Sequence, residues 1–389
     1  MPFINPLAKI SCPYCLQEFH PGDCAIVSTI NPGKVLRPAP TPRTFEYTRS
    51  RTWIEELKGP EFTTEMAVRE CPHCKKPLFE HIEECDNINI AIVGDASSGK
   101  THYIAVLIDM LKRGVLMQGG NGHIRLIHLN EYTNKTYQSV YQKPILLDRN
   151  AVAATPRGSF DAAGNPVRTE PLIYQLSIHD NATDTNNTLN LLLYDISGED
   201  LADTRSLMRF GEHILRAHGI IYFADPLAMM NIYQYLPSHI QAAMSTGRRA
   251  DEVLSTVLYR MEQYKRVQPG APIDIPTAIT ISKSDLFQYV IPRQEWPGYG
   301  LLYKPTYDGR AHLEDIQRVD QEVRYLLQKH GEFSLLQISR RFEQVSFFAI
   351  AATGQSPDGN SKYTRIDPHR GLDPFIWLLW KLHFLPEAR

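Results

Sequence analysis

The sequence lacks any run of 18 apolar residues, which excludes a membrane-spanning helix. Its most apolar stretch, FIWLLWKLHFL at residues 375–385, is short and broken by Lys381 and His383, so it reads as a buried helix. The first residues, MPFINPLAKISCPYC, lack a basic head followed by an apolar run. No secretory signal is expected, and a cytoplasmic location follows as the expectation. There is no excess of charge of one sign: 41 basic and 43 acidic residues leave a net charge of −2. That excludes the broad basic field used to hold nucleic acid or anionic membrane. Internal repeats and low-complexity tracts are also lacking, which argues against a solenoid or a disordered tail. Cysteine is scarce, with six residues, all before residue 86. In a reducing compartment such cysteines are metal ligands or core residues rather than disulfides.

What is there is ordinary globular composition, 43% hydrophobic and 22% charged over 389 residues. A chain of this length can bury a sizeable core and suggests one large domain plus a smaller one. The expected boundary falls where the texture changes: residues 1–86 hold the cysteines and a Pro-rich stretch at 31–44, and residues 87–389 form the larger domain.

Within the first block, SCPYCLQEF and ECPHCKKPL are two C-P-x-C knuckles. Each directs two thiolates at one ion, and two together complete the closed tetrahedral pattern of structural zinc. The expected ligands are Cys12, Cys15, Cys71 and Cys74. Because 55 residues separate Cys15 from Cys71, this zinc-ribbon-type domain carries an insertion. Cys24 and Cys85 are left over, as buried free thiols or as part of a second site with His20 or His81; His73 reads as a surface residue. A closed tetra-thiolate zinc supplies folding energy and a docking surface rather than chemistry.

From residue 87 onward, apolar strand-like runs alternate with helical stretches: NINIAIVG, PLIYQLSI, LNLLLYDI, GIIYFADP, PTAITISKSD and VSFFAIAA. This alternation predicts an α/β fold with a mostly parallel sheet covered by helices on both faces. Amphipathic helices are expected near 203–218, within 227–266, at 313–330 and at 373–385.

The run NIAIV is followed at once by GDASSGKT and then by a helical pattern carrying Tyr103, Ile104, Leu107, Ile108 and Leu111. Strand, Gly-rich loop and helix are the context of a phosphate-binding P-loop. Gly94 and Gly99 allow the close backbone approach, and the N–H groups of Asp95, Ala96, Ser97 and Ser98 with the helix N-terminus face the phosphates. Lys100 would reach the β- and γ-phosphates, and the Thr101 hydroxyl would ligate Mg²⁺.

LNLLLYDISGED ends a second strand in Asp195, where a Mg²⁺-supporting carboxylate belongs, and Gly198 could turn its N–H onto a γ-phosphate. ITISKSDLF supplies a base reader. Guanine presents N1–H and an N2 amine side by side, and the Asp285 carboxylate accepts both; adenine would leave it unpaired. The stem of Lys283 would pack over the base. The plainer alternative is a strand end with a capping aspartate. VSFFAIAATG ends in small residues, where the N–H of Ala352 would donate to guanine O6.

GDASSGKT, DISG, SKSD and AIAA, in that order, resemble the G1, G3, G4 and G5 motifs of the translation-factor and Ras-like GTPases. The resemblance covers residues 87–389 and implies a P-loop NTPase fold, GTP or GDP, Mg²⁺ and two switch loops. The sequence departs from the pattern with Ser282 for Asn or Thr, Ala351 for Ser, and Glu199 for the glutamine that orients the attacking water. Glu199 could hold water or act as a base, which leaves slow or partner-stimulated hydrolysis. Arg205 and Arg209 are candidate arginine fingers in cis, or else a solvated helix face. From Thr101 to Asp195 there are 93 intervening residues, long for a small GTPase. The switch I threonine implied by the resemblance is expected there, with Thr169 best spaced and Thr155 the alternative.

DISGE, FADPL, DPFIWLLWKL and the N-terminal cysteine block resemble more narrowly the TRAFAC-clade "double-GTPase" proteins of bacterial conflict and defence systems. That resemblance implies a second GTPase and a GTPase-associated large subunit as partners. An ATP-dependent P-loop enzyme and a scaffold holding an unhydrolysed nucleotide are the competing expectations.

Overall fold

The computed structural model describes residues 9–31, 34–39, 67–79, 82–114, 122–152, 155, 158–160, 169–181, 184–202, 206–207, 211–241, 249–265, 268 and 270–388. Arg205, Arg209 and His81 lie outside the described residues.

The cysteine block is built from short antiparallel strands. β1 (Ile10–Ser11) pairs with β2 (Glu18–Phe19), and β3 (Ala25–Ser28) lies between β4 (Val35–Arg37) and β5 (Ala67–Glu70). The rest of the chain is organised by β6 (Asp86–Gly94), the strand that leads into the P-loop. Its side chains alternate: Ala91 and Val93 face one apolar core, while Ile88, Ile90 and Ile92 face the other. A strand buried on both faces reads as a continuous apolar run, which is why it was visible in the sequence.

β6 is central in a seven-stranded sheet whose other members are β7 (Gly122–His128), β8 (Leu172–Asp180), β9 (Thr185–Tyr194), β10 (Gly219–Ala224), β11 (Thr277–Ile281) and β12 (Val345–Ala349). The order is β12-β11-β10-β6-β9-β8-β7. From β12 to β9 every pairing is parallel; β8 runs antiparallel to β9, and β7 antiparallel to β8.

One face is covered by α1 (Lys100–Lys112) and α6 (Asp373–Lys381), which bury Tyr103, Ile104, Leu107 and Ile108 and Phe375 to Leu379 against it. The other is covered by α4 (Glu252–Lys265) and α5 (Leu313–Lys329), with Val253, Val257, Met261, Val319, Val323 and Leu326 turned inward. The same core takes in Cys12, Leu16, Phe19, Leu78 and Phe79, so the cysteine block packs on the sheet. The Tyr194 hydroxyl donates to the Pro13 carbonyl (2.7 Å), a buried bond between the two.

Of the stretch expected at 373–385, Asp373–Lys381 is the buried helix; the chain leaves it at Leu382, and His383 sits at φ +64°. Among the described residues, no helix is long and apolar enough to cross a membrane. Three elements between the P-loop helix and Asp195 were not anticipated: β7, α2 (Glu131–Thr136) and the π-helical turns at Tyr137–Leu147 that follow it. Pro144 lies inside those turns and has no N–H to donate. The widened spiral nonetheless aims Tyr137, Tyr141 and Ile145 at the core.

Candidate nucleotide and metal sites

The P-loop leaves β6 at Gly94, where a Cβ would meet Phe223 Cβ, Phe223 O and Ser98 Oγ, each at 2.8 Å. β10 therefore passes too close for any side chain there. Gly99 sits in the left-handed region at φ +91°, and Ser97 at φ +63°. Asp95 shapes the loop: its Oδ1 accepts from Ala96 N (2.7 Å) and its carbonyl from Ser98 Oγ (2.8 Å). The buried Lys100 ammonium donates to the Gly94 and Asp95 carbonyls at 2.9 and 2.7 Å. Burial pulls Lys100 down to about 8, against the opposing pull of Asp195 and Asp95.

Asp195 closes the other side. It follows β9, and its carboxylate accepts from Thr101 Oγ1 (3.0 Å), Tyr141 OH (3.1 Å) and Thr155 Oγ1 (3.3 Å). Thr101 and Thr155 hydroxyls are themselves 3.0 Å apart. Burial pushes Asp195 above the usual carboxylate range, even though Lys100 and the three hydroxyls oppose the shift. A divalent cation at these oxygens would reverse that shift, and an anion at Lys100 would reverse the other. Both are the countercharges that a Mg²⁺–phosphate pair carries.

Thr155, the alternative, is thus the threonine brought to Thr101 and Asp195. Thr169, the better spaced candidate, has no hydrogen bond to that group among the described residues. Gly198, in α3 (Gly198–Ala202), lies against the P-loop backbone; a Cβ there would meet Ala96 N and Asp95 C at 2.2 Å. Next to it, Glu199 N donates to Ser197 Oγ (3.3 Å), and the Asp200 carboxylate accepts from Gly158 N (2.7 Å).

The SKSD turn is bolted to two strands. Ser282 N donates to Ala224 O (3.0 Å) and Ser284 N to Ile350 O (2.9 Å). Lys283, at φ +50°, pairs with Asp225 at 2.5 Å, and the other Asp225 oxygen accepts from Leu227 N (3.0 Å). Asp225 therefore fixes the lysine stem from below. Burial raises Asp285 above the usual carboxylate range, with its own N–H and Lys283 opposing. The Ala351 N–H donates to His369 O (3.0 Å), whereas Ala352 N–H has no such bond among the described residues.

The four knuckle cysteines converge, with all four Sγ atoms within 4.8 Å of one another. Cys12 and Cys74 Sγ are 3.8 Å apart, and Cys15 and Cys71 Sγ 3.7 Å. A tetrahedral zinc with bonds of about 2.3 Å requires sulfur separations of about 3.8 Å, so the residues fit the ion. The two knuckles are near copies. Leu16 (φ +61°) and Lys75 (φ +59°) each follow the second cysteine in the left-handed region, and each returns an N–H to the first cysteine's carbonyl. Burial pushes the Cys12 and Cys74 thiols up, Cys74 to about 11. A cation binding there must displace those protons. Cys24 is buried apart from this cluster, and burial raises its thiol to about 12. His20 caps its own turn through Gly22 N (3.1 Å), and Cys85 accepts from Gln175 (3.9 Å).

Fold and site together define a nucleotide-binding protein of the P-loop class. The chain belongs to the Double-GTPase 2 family, whose model matches residues 88–356. It is similar to "Putative ESX-1 scaffolding and assembly protein SaeC" of Mycolicibacterium smegmatis, with 29% identity over 380 residues, 92% of this chain and 88% of that one. It also overlaps the crystal structure of translation elongation factor SelB from Methanococcus maripaludis with the GTP analogue GPPNHP. That overlap has 12% identity and a TM-score of 0.27, over 69% of this chain and 30% of the SelB chain. The chain thus spans less than a third of SelB, and an overlap that loose carries no argument.

Tyr141, Asp200 and Asp225 take part in the site without having been singled out. Asp225 stood in a quoted strand end, FADP, and an acid at the tip of a buried parallel strand was the available signal. Tyr141 had none, because its role depends on the π-helical turns.

Proposed function

We propose that the chain is a GTP-binding switch that hydrolyses GTP slowly, or when a partner stimulates it, within a multiprotein bacterial system in the cytoplasm. In this reading, residues 1–86 are a zinc-ribbon-type block and residues 87–389 the GTPase domain. The observation that carries it is the convergence of the Thr101, Thr155 and Asp195 oxygens at the start of α1. Mg²⁺ would be held by these three residues and would supply neutralising charge to the β- and γ-phosphate oxygens.

The residues then divide the work. The P-loop N–H groups of 94–101 cradle the phosphates, and Lys100 reaches the β- and γ-oxygens. Gly198 reports the γ-phosphate, because it packs against the P-loop backbone, which leaves no room for a side chain there. Asp285 accepts from guanine N1–H and N2, the Lys283 stem covers one face, and Ala352 donates to O6 while Ala351 holds the turn. Glu199 orients or deprotonates the attacking water. Its negative charge near a γ-phosphate opposes the approach of anionic oxygen, which supports a low intrinsic rate. Zinc on Cys12, Cys15, Cys71 and Cys74 would supply folding energy. A second GTPase and a GTPase-associated large subunit are the partners proposed.

The printed name of the mycobacterial relative, a scaffolding and assembly protein, favours a second reading in which nucleotide is held and not turned over. Single-turnover hydrolysis with and without co-purifying proteins separates the two. Phosphate release that a partner accelerates supports the switch; tightly held, unhydrolysed GTP at every partner concentration supports the scaffold. Calorimetry with GTP, GDP and ATP tests the site itself. Preference for ATP, or guanine choice unchanged in Asp285→Asn, would refute the base-reading assignment.

A further inference from the structure

We propose that Tyr363, positioned by His102, forms a wall of the guanine site and packs its ring against the bound base. This rests on Asp285 being the guanine reader.

After β12 the chain makes an excursion that returns at His369. Its root is pinned by the reciprocal bonds between Ala351 and His369 (3.0 and 2.9 Å) and by Asp367 N to Thr353 O (3.1 Å). Gly354 (φ +74°) has no room for a side chain, since a Cβ would lie 2.1 Å from Asp367 O. The tip is pinned to the segment that leads toward Thr155. Ala151 N donates to Ser361 O (2.7 Å), Tyr363 N to Arg149 O (2.8 Å), and Arg149 Nη1 to Thr364 O (2.6 Å).

Within this stretch the side chains of Ser361, Lys362, Thr364 and Arg365 are exposed, whereas Tyr363 is buried. One aromatic turned inward from an otherwise solvated loop has a target. Its hydroxyl lies 3.2 Å from His102 Nε2, and its ring meets the imidazole edge-on, 5.6 Å between centroids at 81°. His102 stands one residue past Thr101, on the helix that begins at the P-loop.

The base reader is tied to the same place: Ser284 N of the SKSD turn donates to Ile350 O (2.9 Å), one residue before the Ala351–His369 pair that roots the excursion. Burial raises the Tyr363 hydroxyl against a hydrogen bond from Thr353, with the Asp285 carboxylate adding to the rise. Three separate elements therefore converge on one place: the SKSD turn, the first turn of α1, and the excursion after β12. An aromatic ring is the usual partner of a base's π-face.

The test is release of a fluorescent N-methylanthraniloyl-GDP from the full chain, loaded with zinc and Mg²⁺, chased by excess GDP. Tyr363→Ala is expected to speed release about ten-fold, equivalent to roughly 1.4 kcal/mol. Tyr363→Phe keeps the ring but loses the bond to His102, so it should speed release only about three-fold, as His102→Ala should, and less than Tyr363→Ala. His102→Ala should speed release, and His102→Gln, which retains an acceptor, should restore it. Release unchanged in Tyr363→Ala, or equally fast in the Phe and Ala variants, overturns the proposal. Asp285→Asn measured in parallel separates the failures. If it abolishes the preference for GDP over IDP while Tyr363→Ala does nothing, only the wall is wrong. If guanine preference survives Asp285→Asn, the base-site reading itself has failed.

Discussion

Thr155→Ala should weaken GTP without weakening GDP. The Thr155 hydroxyl stands 3.0 Å from that of Thr101 and donates to Asp195 at 3.3 Å, so it is an oxygen of the proposed magnesium and γ-phosphate end of the site. A hydrogen bond to a charged group contributes about 1.5–3 kcal/mol. The 3.3 Å bond is long, so the lower end applies, which is roughly ten-fold in affinity. Switch segments are held by the γ-phosphate and released without it. The loss therefore falls on GTP, and the ratio of GTP to GDP affinity should drop about ten-fold. Thr169→Ala should leave that ratio within about two-fold, because the residue shares none of these bonds. Calorimetric titration of GDP and a non-hydrolysable GTP analogue at fixed free Mg²⁺ measures both. A Thr169→Ala defect equal to that of Thr155→Ala, or a neutral Thr155→Ala, refutes the assignment.

The nucleotide-free Lys100, depressed to about 8 by burial, regains its proton when phosphate binds, so binding should take up a proton above pH 8. Affinity should be flat near pH 7 and fall as pH rises through 8, up to ten-fold per unit; titration in two buffers of different ionisation enthalpy counts the proton, and no uptake at pH 8.5 rejects the reasoning. Gly198→Ala should weaken GDP and GTP together and lose the GTP-induced change in protease sensitivity, since its Cβ collides with the P-loop backbone at 2.2 Å; unchanged nucleotide affinity with a normal GTP-dependent digestion pattern would count against it. Elemental analysis should find one zinc per chain, and Cys15→Ser should lower the melting temperature by several degrees, as expected for about 2 kcal/mol or more lost from a large domain; full stability in a zinc-free preparation would exclude the structural role.

Much of the fold could be read because its strands are buried on both faces. NIAIV, LNLLLYDI, GIIYFADP and ITISKSD are mostly apolar and lead into Gly94, Asp195, Asp225 and Asp285, which the site uses, whereas PLIYQLSI alternates and ends in none of them. Position at a strand tip is local information. The insertion between Thr101 and Asp195 carries little of it. β7 sits at the sheet edge with a mixed pattern, and the Tyr137–Leu147 turns contain a proline that argues against a helix. Spacing alone favoured Thr169, whereas Thr155 is joined to Thr101 and Asp195 by hydrogen bonds that tertiary packing decides. The knuckle cysteines were legible for the opposite reason: two thiolates three residues apart carry their geometry with them. Tyr363 falls between these cases. Its role depends on bonds to residues more than 200 positions away, such as that between Arg149 and Thr364.

Tyr194 and Asp195 are neighbours, yet one bonds to the first knuckle through Pro13 and the other accepts from Thr101. The two proposed metal sites are thus tied to neighbouring residues of one strand end, the first through the Tyr194 side chain and the Pro13 carbonyl, the second through the Asp195 carboxylate. Any chelator used to strip magnesium and empty the nucleotide site also competes for the thiolate-bound ion, and its removal reaches Asp195 through that bond. Metal content therefore becomes a hidden variable of every nucleotide titration: a preparation with half its knuckles filled should behave as two populations, with two release rates from one pure chain.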